Sequence, residues 1–78
     1  MKYKLGEYVT VISLHHSFIQ SICEQPYLQA MLGNSFPISK VNKVYDRYGI
    51  KDYEGFEWPF SKEDLAPCLT HKLEALLE

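Results

Sequence analysis

The stretch WPFSKEDLAP, Trp58 to Pro67, decides how this chain is read. An aromatic run with strand character turns within one residue into a helix-opening signal. Pro59 has no amide hydrogen, so it belongs on an edge strand or at a strand's end. Ser61 followed three residues later by Asp64 resembles a capping box, although aspartate reaches less far than the glutamate of that pattern. Leu65 closes the turn inward and Pro67 ends it. The strand is therefore expected to stop at Phe60, where a single helical turn carries the chain from one side of a sheet to the other.

Upstream, Phe56 to Phe60 reads as a strand with Phe56, Trp58 and Phe60 on one face, which makes Trp58 a core or core-edge residue. Tyr53-Glu54-Gly55 is a turn signal, Ile50 to Asp52 a short strand, and Asp46 to Gly49 another turn. From Ser35 a strand runs to about Tyr45 through Phe36, Ile38, Val41 and Val44, with a register irregularity near Ser39-Lys40. Near the start, YVTVISL (Tyr8 to Leu14) is β-branched and aromatic, with Val9 and Val11 on one face.

Residues 15–34 differ in kind. Ser17 is placed to cap a helical turn, and Phe18, Ile22 and Cys23 recur at helical spacing. Pro26 interrupts; Tyr27, Leu28, Met31 and Leu32 resume the period until Gly33-Asn34. One or two short helices are expected, set between strands as a long excursion of the kind that often carries function. Residues 68–78 form an extension, with a brief strand near 67–70 and then a short helix, although its leucines also fit an alternating strand.

A chain of 78 residues supports one domain with a thin core. Eleven aromatic rings, six of them tyrosine, suit a small barrel or sandwich, since each ring buries a large area. The formal charge of −2 argues against a protein built mainly to grip phosphate, yet charge is segregated. Residues 1–39 balance at zero, residues 40–51 carry +3, and residues 52–78 carry −5. Two cysteines with no close pairing suggest reduced thiols in a cytoplasm, and no apolar run approaches the length of a membrane span. MKYKLGEY lacks the apolar core of a signal peptide.

Catalytic chemistry finds little support. His15, His16, His71, Cys23 and Cys68 are the one set that could ligate a transition metal, and Cys68-x-x-His71 has a suitable spacing. Neither cysteine has a close cysteine partner, so surface histidines and buried thiols are preferred, with no metal and no cofactor expected. A Cys–His nucleophile lacks an orienting group and an oxyanion hole. Glu63-Asp64 is better explained by the capping turn, and no glycine loop is spaced to cradle phosphate. The chain is expected not to be an enzyme.

Two binding surfaces are carried forward. In the insert, Phe18, Ile22, Tyr27, Leu28 and Met31 either cover one end of the core or dock a protein partner, because a thin core cannot cover both sides of two helices. In the basic hairpin, Lys40, Lys43, Arg47 and Lys51 interleave with Tyr45, Tyr48 and Tyr53. That suits single-stranded nucleic acid, or else merely keeps an edge strand soluble.

The order of these signals resembles a known group. Gly6-x-x-Val9, Gly33-x-x-Phe36-x-Ile38, Gly49-Ile50 and Trp58-x-Phe60-Ser61-x-Glu63-Asp64-Leu65 follow one another as in the small SH3-like barrels of bacteriophage and prophage genomes, many of them uncharacterised. The resemblance covers about residues 5–67. It implies a mainly β fold: a small SH3-like barrel of about five strands, with a helical insert after the first strand. It also suggests a viral origin, and hence a factor that binds and modulates a host protein. Such domains keep the first loop short where this chain has nearly twenty residues, and the resemblance carries no catalytic residues.

Overall fold

The computed structural model describes residues 2–68. They form a mainly β fold of two small antiparallel sheets and two short helices. Strands β1 (Tyr8–Val11), β2 (Ser35–Pro37) and β6 (Leu65–Pro67) make one sheet in the order β2-β1-β6. Strands β3 (Lys40–Asn42), β4 (Arg47–Lys51) and β5 (Glu57–Ser61) make the other in the order β3-β4-β5. Helices α1 (Gln20–Cys23) and α2 (Pro26–Gln29) lie between β1 and β2, one on each side of the Gln25-Pro26 junction.

Alternation along β1 explains its place. Val9 and Val11 are fully buried while Tyr8 and Ile12 are exposed, the pattern of a strand with one face on the core. The strand ends at Val11 rather than at Leu14. The Ile12 amide turns to the carbonyl of Asp64 (2.9 Å), and the next residues leave the sheet. β2 and β3 are one bent segment. Ile38 still donates to the carbonyl of Glu7 (2.9 Å), whereas Ser39 donates to that of Gly49 (2.8 Å), so pairing passes from one sheet to the other between these two residues. The irregularity expected near Ser39-Lys40 is this handover.

The other crossing is the one expected from WPFSKEDLAP. β5 ends at Ser61, a 3₁₀ turn spans Lys62–Asp64, and β6 begins at Leu65 in the opposite sheet. Ser61, however, caps no backbone amide of the turn; its hydroxyl donates to the carboxylate of Glu63. Ser17 does not cap a helix either. α1 starts three residues later behind Ile19, and the Ser17 hydroxyl donates to Asp64.

Two expected boundaries move. The strand expected to run to Tyr45 stops at Asn42, because the Asn42 side-chain oxygen accepts the amides of Val44 (3.1 Å) and Tyr45 (3.2 Å) and starts the turn early. Asp46, at φ 53°, sits in the left-handed turn conformation that aspartate tolerates. Residues 47–49, expected as turn, therefore open β4. That places Tyr48 and Ile50 on the inner face, fully buried. Leu65–Pro67, expected to close and end the turn, is strand β6; the brief strand expected near 67–70 and the helix after it fall largely on residues 69–78, outside the described residues.

The core joins both sheets and the insert: Val9, Val11, Leu14, Leu28, Met31, Ile38, Tyr48, Ile50 and Phe60 are all buried in it. Aromatic edges fill the space between elements. Phe18 meets Phe60 and Trp58 edge-on at 5.2 and 5.9 Å between centroids, and Tyr3 meets Tyr48 at 5.3 Å. The Tyr48 hydroxyl accepts the amide of Tyr3 (3.0 Å), so its polar end is satisfied inside. Among the described residues no helix is long and apolar enough to cross a membrane.

Candidate functional site

The site is built on the loop between β4 and β5. Asp52 closes that loop with its side chain. One carboxylate oxygen accepts the amides of Glu54 (2.9 Å) and Phe56 (3.0 Å), and the other accepts the indole N–H of Trp58 (2.8 Å). Gly55 completes the turn at φ 90°, a conformation glycine adopts without strain, and donates to the carbonyl of Asp52 (3.0 Å). Burial of the Asp52 carboxyl pushes its pKa up. The indole and the loop amides stabilise the anion by more, and hold it below the usual aspartate value.

This loop turns an aromatic row outward. Phe56, Trp58 and Phe60 share a strand face, as alternation requires, but their burial is graded. Phe60 is fully buried, Trp58 is half-buried, and Phe56, one residue before β5, is 64% exposed. Tyr27 from α2 stacks on Trp58 with centroids 5.2 Å apart and planes 15° from parallel. Tyr53, 67% exposed, lies edge-on to Phe36 at 5.3 Å.

Two adjoining hollows form along this row. One of about 260 Å³ is walled by Tyr27, Asp52, Glu54, Phe56 and Trp58. The other, of about 290 Å³, adds Pro26, Ala30 and Tyr53 and shares Tyr27, Asp52 and Glu54 with the first. The surface is mostly ring, with carboxylates at its middle. Among the described residues no hydrogen bond or ion pair engages the Glu54 carboxylate, and the one ion pair is Lys62–Asp46 at 3.8 Å.

The residues expected to dock a partner divide. Leu28 in α2 and Met31, in the turn just beyond that helix, are fully buried and belong to the core; they are corrected to core positions. Phe18, Ile22 and Tyr27 are half-buried against the core, and Tyr27 reaches the aromatic row. Trp58 is at the core edge, as expected, but it also lines a hollow. Asp52 and Glu54 were not singled out by sequence, though an aspartate three residues before a glycine is a turn signal.

The basic hairpin divides as well. Tyr48 points into the core and is corrected from a surface ring to a buried one. Lys40, Tyr45 and Arg47, with Asn42, Gly49, Glu57 and Pro59, wall a separate hollow of about 400 Å³ on the outer face of the β3-β4-β5 sheet. Lys43 and Lys51 are exposed and do not line it. Glu57 sits within that hollow, its carboxylate taking the Ser39 hydroxyl at 2.6 Å.

Among the described residues no group of three or more His, Cys, Asp and Glu side chains comes together; His71 lies outside them. Cys23 and Cys68 are both buried, and the Cys23 thiol is free. No family model matches this chain, and neither a curated protein nor a solved structure matches it.

Proposed function

We propose that this chain is a non-enzymatic protein-binding module that docks its partner over Tyr27, Tyr53, Phe56 and Trp58. One observation carries the reading: an aromatic row that begins in the core at Phe60 continues outward to an exposed Phe56 beside two adjoining hollows. Exposed rings in a contiguous patch are the residues that dominate protein interfaces. The strand connections support the finer fold reading, a small SH3-like barrel. β1 lies between β2 and β6, the bent 35–42 segment serves both sheets, and the 3₁₀ turn returns the chain. With the phage resemblance, the partner is a host protein. The free Cys23 thiol supports a reducing, cytoplasmic setting.

Affinity capture with the tagged protein and with its Phe56→Ala and Tyr53→Ala variants tests this reading. A partner identified by mass spectrometry should be retained by the parent and lost by both variants, whose melting should match the parent's. Equal capture by all three would overturn it.

The hollow walled by Lys40, Tyr45 and Arg47 favours a second reading, a nucleic-acid-binding barrel. Glu57 within that hollow weighs against phosphate. Tight binding of single-stranded DNA or RNA that weakens steeply with salt would make this the main function.

A further inference from the structure

We infer that the hollow on the outer face of the β3-β4-β5 sheet is a binding site for a free amino acid, held by its carboxylate and its ammonium group together. The site lies apart from the aromatic docking surface and goes beyond the protein-binding reading.

The sheet register makes the hollow. Lys40, Gly49 and Pro59 stand opposite one another across the three strands, and Asn42 and Arg47 stand opposite each other in the next row of that face. Gly49 has no side chain, so the middle of the face dips there. The Glu57 side chain leans into the dip, with its Cδ 2.8 Å from where a Gly49 Cβ would stand. The hollow of about 400 Å³ is the size of a small-ligand site.

Its lining holds polar groups that the protein leaves without partners. Among the described residues no hydrogen bond or ion pair engages the Lys40 ammonium, the Arg47 guanidinium or the Tyr45 hydroxyl. The Asn42 side-chain oxygen is committed to the amides of Val44 and Tyr45, which leaves its amide nitrogen as a donor. Two cations and two neutral donors around one hollow favour an anion. Glu57 decides which anion. Ser39 holds one of its oxygens at 2.6 Å, and the carboxylate forms an ion pair with neither Lys40 nor Arg47. The hollow therefore has a cationic pole and an anionic one.

A phosphate chain meets only repulsion at the anionic pole, whereas a zwitterion satisfies both. The ligand carboxylate takes the planar fork of Arg47, beside the Asn42 amide in the same row, and the ligand ammonium goes to Glu57. Lys40, on its flexible stem, adds a second cation for the carboxylate. Arg47 and Gly49 are two residues apart on β4, about 7 Å, so the poles suit a compact zwitterion. The rings of Tyr45 and Pro59 offer apolar wall to the ligand's side chain, which favours an apolar amino acid over a charged one.

Phenylalanine is the probe, set against two analogues that each lack one pole. Phenylpropionate has no ammonium group, and phenethylamine has no carboxylate. Backbone amide shifts of isotope-labelled protein follow the binding. Phenylalanine should shift Asn42, Arg47 and Gly49 saturably, with a Kd of about 1 mM or tighter. Each analogue should bind at least about tenfold more weakly, the loss of one charge-assisted contact. Glu57→Gln should remove the advantage of phenylalanine over phenylpropionate, and Arg47→Gln its advantage over phenethylamine. Lys43→Ala removes a charge outside the hollow and should leave phenylalanine binding unchanged. The amide spectrum shows whether each variant is folded, and the analogue comparison needs no variant.

The inference is overturned if phenylalanine gives no saturable shift well above that concentration, or if phenylpropionate binds the parent protein as tightly. It is overturned too if a single-stranded oligonucleotide shifts these amides and phenylalanine does not, which would give the hollow to the nucleic-acid reading. The capture experiment reads a different surface, so none of these outcomes decides it.

Discussion

Ser17 and Asp64, 47 residues apart, are joined by a hydrogen bond from the Ser17 hydroxyl to the Asp64 carboxylate, which ties the insert to the 3₁₀ turn. The same carboxylate accepts the His16 amide (3.1 Å), and Ser17 Oγ in turn accepts the Ser61 amide (2.8 Å). Asp64 is fully buried, so its charge is stabilised by these donors rather than by water. Asp64→Ala should therefore strand two part-buried donors, the His16 amide and the Ser17 hydroxyl, and cost about 2–3 kcal/mol in urea unfolding. Asp64→Asn, which keeps an acceptor, should cost less. Ser17→Ala should cost about 1–2 kcal/mol, and the two losses should be non-additive because the residues share one network.

The clamp at Asp52 makes a pH prediction. Its carboxyl is held below its ordinary value of 3.8, which it regains on unfolding. A folded-state pKa that is depressed gives stability present in full above the unfolded value and lost as pH falls from there through the folded value. Melting temperature should accordingly drop as pH is lowered past 3.8, with Trp58 emission changing in the same range as its indole loses an ionised acceptor. Glu63, lowered chiefly by the Ser61 hydroxyl, adds to the same slope. Asp52→Asn should flatten part of it; an unchanged slope would mean the loop is not held by that charge.

Gly49 is needed for space, not for its backbone angle. A Cβ there would lie 2.8 Å from Glu57 Cδ and 2.9 Å from Lys40 Cβ. The Glu57 side chain can swing away at the loss of its Ser39 hydrogen bond, but Lys40 Cβ moves only with β3. Gly49→Ala should cost about 1–3 kcal/mol, the range for overpacking a fitted site. Adding Glu57→Ala should recover part of that, since it removes one of the two obstructions.

What was legible in the sequence follows from where the forces are local. The crossing after Phe60 was readable because Pro59 and Pro67 act on their own backbone; the turn does carry the chain from β5 in one sheet to β6 in the other. Val9 and Val11 were readable because one buried face imposes alternation. The turn after β3 was misplaced because Asn42, through two side-chain hydrogen bonds, ends the strand before Val44 and Tyr45, whose strand propensity pointed the other way. That shift decides the fate of Tyr48: once β4 starts at Arg47, parity sends the ring inward. The candidate site was half legible. Tyr27 stood out by its position after Pro26, whereas Phe56 looked like a third core ring. Only the loop geometry, closed by Asp52, carries it past the covered end of the sheet.

The Cys23 thiol gives an internal gauge of whether the insert is closed over the core. Its Sγ lies 3.4 Å from the carbonyl of Leu14 and 3.3 Å from that of Phe18, and the residue is 1% exposed. Reaction with a thiol reagent requires the 12–34 segment to open. In a Cys68→Ala background, Cys23 should react at least about a hundredfold more slowly than an unstructured thiol, reporting a local opening equilibrium. Asp64→Ala and Ser17→Ala cut the tie between insert and turn, so each should speed the reaction. Glu54→Gln and Phe56→Ala alter only the exposed surface and should leave it unchanged. Fast labelling in the parent would mean the insert is open and the Tyr27–Trp58 stack transient, so that no surface built on that stack could persist. Slow labelling that Asp64→Ala accelerates would tie the docking surface to the buried carboxylate that holds the insert in place.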